Sequence, residues 1–149
     1  MISKVVLVFA ESFGATLNAG RVADAIGRGL QSDGQLECDL CPYESPSQAF
    51  GEPTEHPSKL LERLDVDRRM RAARAVVIAV ERLESRALLG SAACEAATRA
   101  RQGGVPAYAV SAHDELGPFE ARIVDLQVIL EASTPRTLSA AGRKLAELV

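Results

Sequence analysis

Two stretches of the chain, KVVLVFA at residues 4–10 and AVVIAV at 75–80, are apolar without alternation. A strand with one wet face alternates polar and apolar positions, so an unbroken run of strand length predicts a strand covered on both faces, central in a parallel sheet. After the first run, Ala19, Val22, Ile26 and Leu30 recur at helical spacing, with Thr16 or Asn18 placed to cap the helix and Gly34 to help end it. QLECDLC, residues 35–41, alternates Leu36, Cys38 and Leu40 against Glu37, Asp39 and Cys41. That pattern predicts an edge strand with the first set, Cys38 included, turned to the core.

Residues 42–57, PYESPSQAFGEPTEHP, hold four prolines and scattered polar residues, which bars regular structure and predicts a long loop. Residues 58–75 read as one helix and 88–102 as another, ended by Gly103 and Gly104. Strands follow at 105–112 and 125–132, with an irregular segment at 113–122 between them. The last helix places Leu138, Ala141, Leu145 and Leu148 on one face and starts at Thr134 or Thr137. Strand and helix alternate five times. The layering and handedness rules then predict a three-layer, doubly wound α/β domain with a mainly parallel five-stranded sheet in order 2-1-3-4-5.

At 149 residues and 47% hydrophobic, the chain has the size of one domain, spanning residues 1–149. Its 17 basic and 20 acidic residues leave a formal charge of -3, so no global field draws it to nucleic acid or an anionic membrane. Five arginines lie between positions 63 and 74, but Asp65 and Asp67 interrupt them and no aromatic residue is interleaved, which reads as a solvated helix face. No apolar run reaches the roughly 20 residues of a membrane span and the start lacks the pattern of a signal peptide. A cytoplasmic protein is the expectation. Three cysteines give no disulfide framework. Cys38 and Cys41 have C-x-x-C spacing, yet on a strand these positions face opposite sides, which speaks against a redox or zinc pair.

In a doubly wound sheet, ligands bind beyond the carboxyl ends of the strands, here at 10–16, 81–90 and 111–114. Ser12, Thr16 and Asn18 offer polar groups beside helix amides for a small anion, and the same residue types are ordinary helix caps. His113 next to Asp114 has the order of an acid–base pair, against the plainer reading of a solvated loop histidine; His56 is weaker still. Arg82 is a candidate ligand contact, and Glu81 and Glu84 beside it offer a local ion pair instead.

ESFGATLNAGRVADAIGRGL, residues 11–30, resembles the opening of the two-domain glycerate kinases, with Ser12, Phe13, Leu17, Val22, Ala23, Ile26 and Gly29 in place. A later stretch with Arg82, Leu83, Leu88, Gly90 and Pro106, and the closing strand and helix, are similar to the same family. The resemblance implies the outer domain of such a kinase with its inserted second domain missing, the 42–57 loop marking the place and only Pro42 left of the family's motif there. Glu11 then stands for an aspartate, Gly14 and Ser91 for lysines and Glu84 for an aspartate, so the polar chemistry of phosphoryl transfer is largely replaced.

On this reading the chain is a degenerate glycerate kinase-like protein, inactive alone, that keeps small-ligand or partner binding. One alternative is an active ATP-dependent kinase of glycerate or a similar hydroxy acid, which would take ATP and Mg²⁺. The other is a flavodoxin-like flavin or nucleotide binder, since the loop also looks like that family's phosphate loop, although two tyrosines and no tryptophan leave little to sandwich a flavin ring. The candidate ligand-binding residues are Glu11, Ser12, Thr16, Arg82, Glu84, Ser91 and His113. The expected partners are a small anionic ligand or a protein, a second copy included. Loss of an inserted domain would uncover Phe13, Tyr43 and Phe50, so Tyr43 or Phe50 is expected to pack over the first loop or in a subunit interface.

Overall fold

Both unbroken apolar runs are inner strands. A computed structural model describes residues 3–44, 56–88 and 90–149 and shows β1 (Val5–Ala10) paired with β2 (Glu37–Pro42) on one side and β3 (Ala75–Leu83) on the other. β4 (Ala107–Asp114) and β5 (Leu126–Glu131) complete an all-parallel sheet of order β2-β1-β3-β4-β5. The strand order is the expected one. No helix among the described residues is long and apolar enough to cross a membrane.

Each face of the sheet buries its own core. Leu7, Phe9, Val76, Ile78 and Val80 point to one face, under α2 (Pro57–Arg63), α3 (Val66–Arg71) and α5 (Ala92–Gln102). Val6, Val8, Val77 and Val110 point to the other, under α1 (Ala19–Leu30) and α7 (Pro135–Leu148). Alternate residues of one strand thus enter different cores, which is why the strands carry no polar positions. On the second face α1 and α7 touch backbone to backbone. A Cβ on Gly29 would overlap the carbonyl oxygen of Ser139, and one on Gly142 that of Ile26. Ser139 Oγ donates to the Ala25 carbonyl at 2.9 Å across the same contact.

Four details depart from the sequence expectation. The helix expected at 58–75 is two, because Asp65 takes a left-handed conformation (φ 56°) and turns the chain so that Leu60, Leu61, Val66 and Met70 all reach one core. Aspartate tolerates that conformation, and the Asp65 carboxylate pairs with Arg68 one turn on. The helix expected at 88–102 is interrupted likewise: α4 (Ser85–Leu88) stops, Gly90 turns with φ 76°, and Ser91 caps α5. The segment expected to be irregular at 113–122 contains the end of β4 and a short helix, α6 (Pro118–Val124), started by the proline at its first position. Finally β2 departs from the simple alternation: Leu40 is 37% exposed and Cys41 only 1%, because helices cover both faces of this edge strand.

The two sheet edges are finished differently. On β2 the outward backbone groups belong to Cys38, Leu40 and Pro42, since Glu37 and Tyr43 donate inward to β1. Gln31 Oε1 accepts from Cys38 N–H at 3.0 Å, Arg69 Nη2 donates to the Leu40 carbonyl at 3.0 Å, and Pro42 has no N–H to leave open. Arg69 is itself held by both oxygens of Asp39 (2.6 and 2.9 Å) and by the Leu64 carbonyl. On β5, Ala132 N–H donates inward to Ser111, so Ile129 and Glu131 turn their backbone outward, where no described side chain covers them.

Candidate functional site

At the carboxyl ends of the strands the chain brings Glu11, Tyr43 and Glu81 together. β1 is prolonged by the bond from Glu11 N–H to the Ala79 carbonyl (3.0 Å), which fixes where the Glu11 side chain starts. Its carboxylate accepts from Glu81 N–H and, at 3.4 Å, from the Tyr43 hydroxyl. Burial raises the Glu11 carboxyl to about 6, and the charge of Glu81 adds to this, while the two hydrogen bonds act the other way. Tyr43 leaves the end of β2 and stacks on Phe9 with ring centroids 4.1 Å apart. It is buried, and that burial together with Glu11 holds its hydroxyl protonated well above the ordinary tyrosine range.

The loop from Glu11 to α1 closes on itself. Phe13 and Leu17 are buried and form an isolated antiparallel bridge, with Phe13 N–H donating to the Leu17 carbonyl at 2.8 Å. Gly14 makes the turn with φ 71°, and the Glu81 carboxylate lies against it, 3.8 Å from where a Cβ would stand. The cap of α1 is Asn18, whose Oδ1 accepts from Arg21 N–H at 2.9 Å. Thr16 is exposed and Ser12 half-buried, and neither side chain bonds another described residue.

The other predicted candidates are dispersed. Arg82 Nη1 pairs with Glu115 at 2.6 Å, not with Glu81 or Glu84. Glu84 is half-buried just past β3, and Ser91 is a helix cap whose Oγ accepts from Cys94 N–H. His113 and Asp114 end β4 as exposed neighbours, and Asp114 accepts from Leu116 N–H at 3.2 Å, which makes it a turn residue rather than the partner of an imidazole. The cysteines face opposite sides: Cys41 receives Arg69 Nη1 at 3.2 Å, and Cys38 lies against the Gly27 carbonyl. Burial raises both thiols, Cys38 to about 11. Among the described residues no three His, Cys, Asp or Glu side chains come together as a metal-ligand set. Beside the acidic pair a cleft of about 330 Å³ is lined by Ala19, Pro42, Tyr43, Glu44, Arg63 and Leu64. Phe50 and most of the 42–57 tract lie outside the described residues.

Tyr43 and Glu81 complete this cluster although neither belongs to a motif. Glu81 has a sequence signal, a charge ending an unbroken apolar strand, which places it at the carboxyl edge. Tyr43 is expected over the first loop because of the apolar surface there, but no motif singles out Glu11, 32 residues away, as its partner.

No protein-family model matches the chain, and none of the curated proteins does. Solved structures do match in fold. A protein described as pilus assembly-related from Burkholderia pseudomallei superposes with a TM-score of 0.53 at 20% identity, covering 99% of this chain and 90% of that one. The signal receiver domain of the response regulator NarL from Mycobacterium tuberculosis gives 0.52 at 14% identity, covering 99% and 98%. An oxidoreductase from Corynebacterium diphtheriae gives 0.54 at 9% identity, covering 100% and 98%. At these identities the likeness is one of fold: the doubly wound, flavodoxin-like architecture.

These neighbours overturn the resemblance to glycerate kinases, and with it the expectation of kinase or transferase chemistry using ATP and Mg²⁺. The matched positions have a simpler cause. Phe13, Leu17, Val22, Ala23 and Ile26 are buried against the sheet, and Gly29 is required where α1 meets α7. A strand, a tight loop and a helix packed this closely demand small and apolar residues at those places in any doubly wound domain.

Proposed function

We propose that the chain is a non-catalytic interaction module of flavodoxin-like fold that docks a protein partner on the side formed by α6 and β5. One observation carries this reading: Phe119 and Ile123, one turn apart on α6, are 72% and 50% exposed. Large apolar side chains left together on a soluble surface mark interaction sites. The other exposed large hydrophobics among the described residues, Leu40 and Leu148, stand singly on other elements. Of the fold neighbours, one is described as pilus assembly-related and another as a signal receiver domain, and a binding module suits both descriptions.

The flavin or nucleotide binder fits the carboxyl edge poorly. A phosphate on the amino end of α1 would meet the Glu11 and Glu81 carboxylates, and Arg82 is engaged by Glu115. The test has two arms. Cross-linking in the source cell should capture a partner with the wild-type chain, the purified partner should bind in calorimetry, and Phe119→Ser/Ile123→Ser should lose that binding while melting as the wild type does. FMN, ATP and ADP should leave the melting temperature unchanged. Partner binding indifferent to the α6 variant, or a saturable rise in melting temperature with a nucleotide or FMN, would overturn the reading.

A further inference from the structure

The acidic pair at the carboxyl edge frames the first loop. We infer that Glu11 and Glu81 form a proton-operated catch on that loop, closed while Glu11 is protonated and loosened when both carboxyls are ionised. The catch is independent of the docking reading, since no residue of α6 or β5 takes part in it.

Both carboxyls bear on one turn. Glu11 opens the loop with its backbone pinned to the Ala79 carbonyl, and its side chain accepts from Glu81 N–H. The Glu81 side chain returns over Gly14, where the loop turns with φ 71°. The turn closes through Phe13 N–H on the Leu17 carbonyl at 2.8 Å, and Leu17 leads directly into the Asn18 cap of α1. A push between the two carboxylates is therefore felt at the Phe13–Leu17 bridge.

The surroundings decide which form of Glu11 suits the closed loop. From β3 the group facing it is Glu81, and from the end of β2 it is the Tyr43 hydroxyl, on which Cys41 bears in turn. Glu44 and Arg63 line the cleft that Tyr43 also lines, and α1 presents its amino end with no acidic residue in its first turn. Arg82, next to Glu81 in the chain, turns to Glu115. The charge that acts on Glu11 is thus the like charge of Glu81, in a place with little water to screen it. A neutral Glu11 lets the Glu81 carboxylate rest on Gly14. An ionised one repels it, and the charges part by lifting the loop at its glycine turn, where Glu11 regains water.

Amide exchange of the full chain, corrected for the intrinsic pH dependence of exchange, reads the catch at Phe13 N–H, while Val76 N–H, bonded to the Pro106 carbonyl in the core, reports global unfolding. Phe13 is expected to exchange through an opening that leaves Val76 protected, and the population of that opening should rise by up to roughly tenfold between about pH 5 and pH 7. Glu11→Gln should abolish the rise. Glu81→Gln keeps the backbone N–H but loses the opposing charge and should move the midpoint down in pH, whereas Tyr43→Phe removes a bond that favours the ionised carboxyl and should move it up. These nearly isosteric changes shift the midpoint in opposite directions only if charge works the loop; a packing role alone moves neither. Phe13 exchange that is independent of pH, that occurs only together with Val76, or whose pH dependence survives in Glu11→Gln overturns the catch, as do midpoints that stay put or move the same way in the other two variants.

Discussion

The edge strands β2 and β5 have the same length and direction, yet side chains cover part of the free side of one and none of the other's. β2 draws side chains from two helices onto its free side: Gln31 follows α1, and Arg69 lies on α3. β5 has α6 and α7 on its two faces and nothing described along its free side. The difference teaches that the sealed edge serves the fold and the open one is available to another chain. It also places the acidic cluster, since Tyr43 leaves β2 for Glu11 only because that strand is held in place.

Substitutions on the two sides should therefore differ in what they cost. The largest effect belongs to Arg69→Ala, which removes a two-pronged ion pair and the bonds to the Leu40 and Leu64 carbonyls. A loss of about 2 to 3 kcal/mol in urea unfolding is expected, less than for a fully buried pair because both partners keep some water. Arg69→Lys, without the fork, should recover only part of it.

Next comes Glu11. Its carboxyl titrates near 6 in the folded chain and near 4.5 in the unfolded one, so between those values the folded state holds a proton that the unfolded state has lost. Its contribution to stability is therefore complete below about pH 4.5 and falls as the pH rises through 6. Glu11→Gln should flatten that part of the profile and stabilise the protein at pH 7 by at most about 2 kcal/mol, as read by melting across pH. Gln31→Ala should cost about 1 kcal/mol, the worth of one hydrogen bond to an edge amide. Smallest of all, Glu131→Lys, at an exposed position on the open edge, should change stability by less than about 0.5 kcal/mol. An equal cost at the two edges would break the comparison.

The fold was legible where both faces of an element are buried. The runs at 4–10 and 75–80 have no polar positions because each alternate residue enters a core, and that alone placed β1 and β3 at the centre. Legibility failed where a single residue's conformation decides, as at Asp65, which divides a continuous helical pattern without changing its periodicity. It failed at α6 because Phe119 and Ile123 are exposed there, so the helix lacks a full apolar stripe facing inward. The candidate site was legible only as a location. Glu11 lies at the carboxyl edge, but its partners Tyr43 and Glu81 come from other strands, and Ser91, Asn18 and Asp114 are committed to caps and turns. Gly29 shows how the resemblance to glycerate kinases arose, since packing alone requires glycine where α1 meets α7.

Residue-resolved amide exchange tests the contrast between the edges most directly, because it reads the outward N–H groups themselves. The account predicts that Cys38 N–H, bonded to Gln31, is protected. Ile129 and Glu131 N–H, with no described side chain along that side, should exchange freely. Protection of Ile129 to the degree of Cys38 would contradict it.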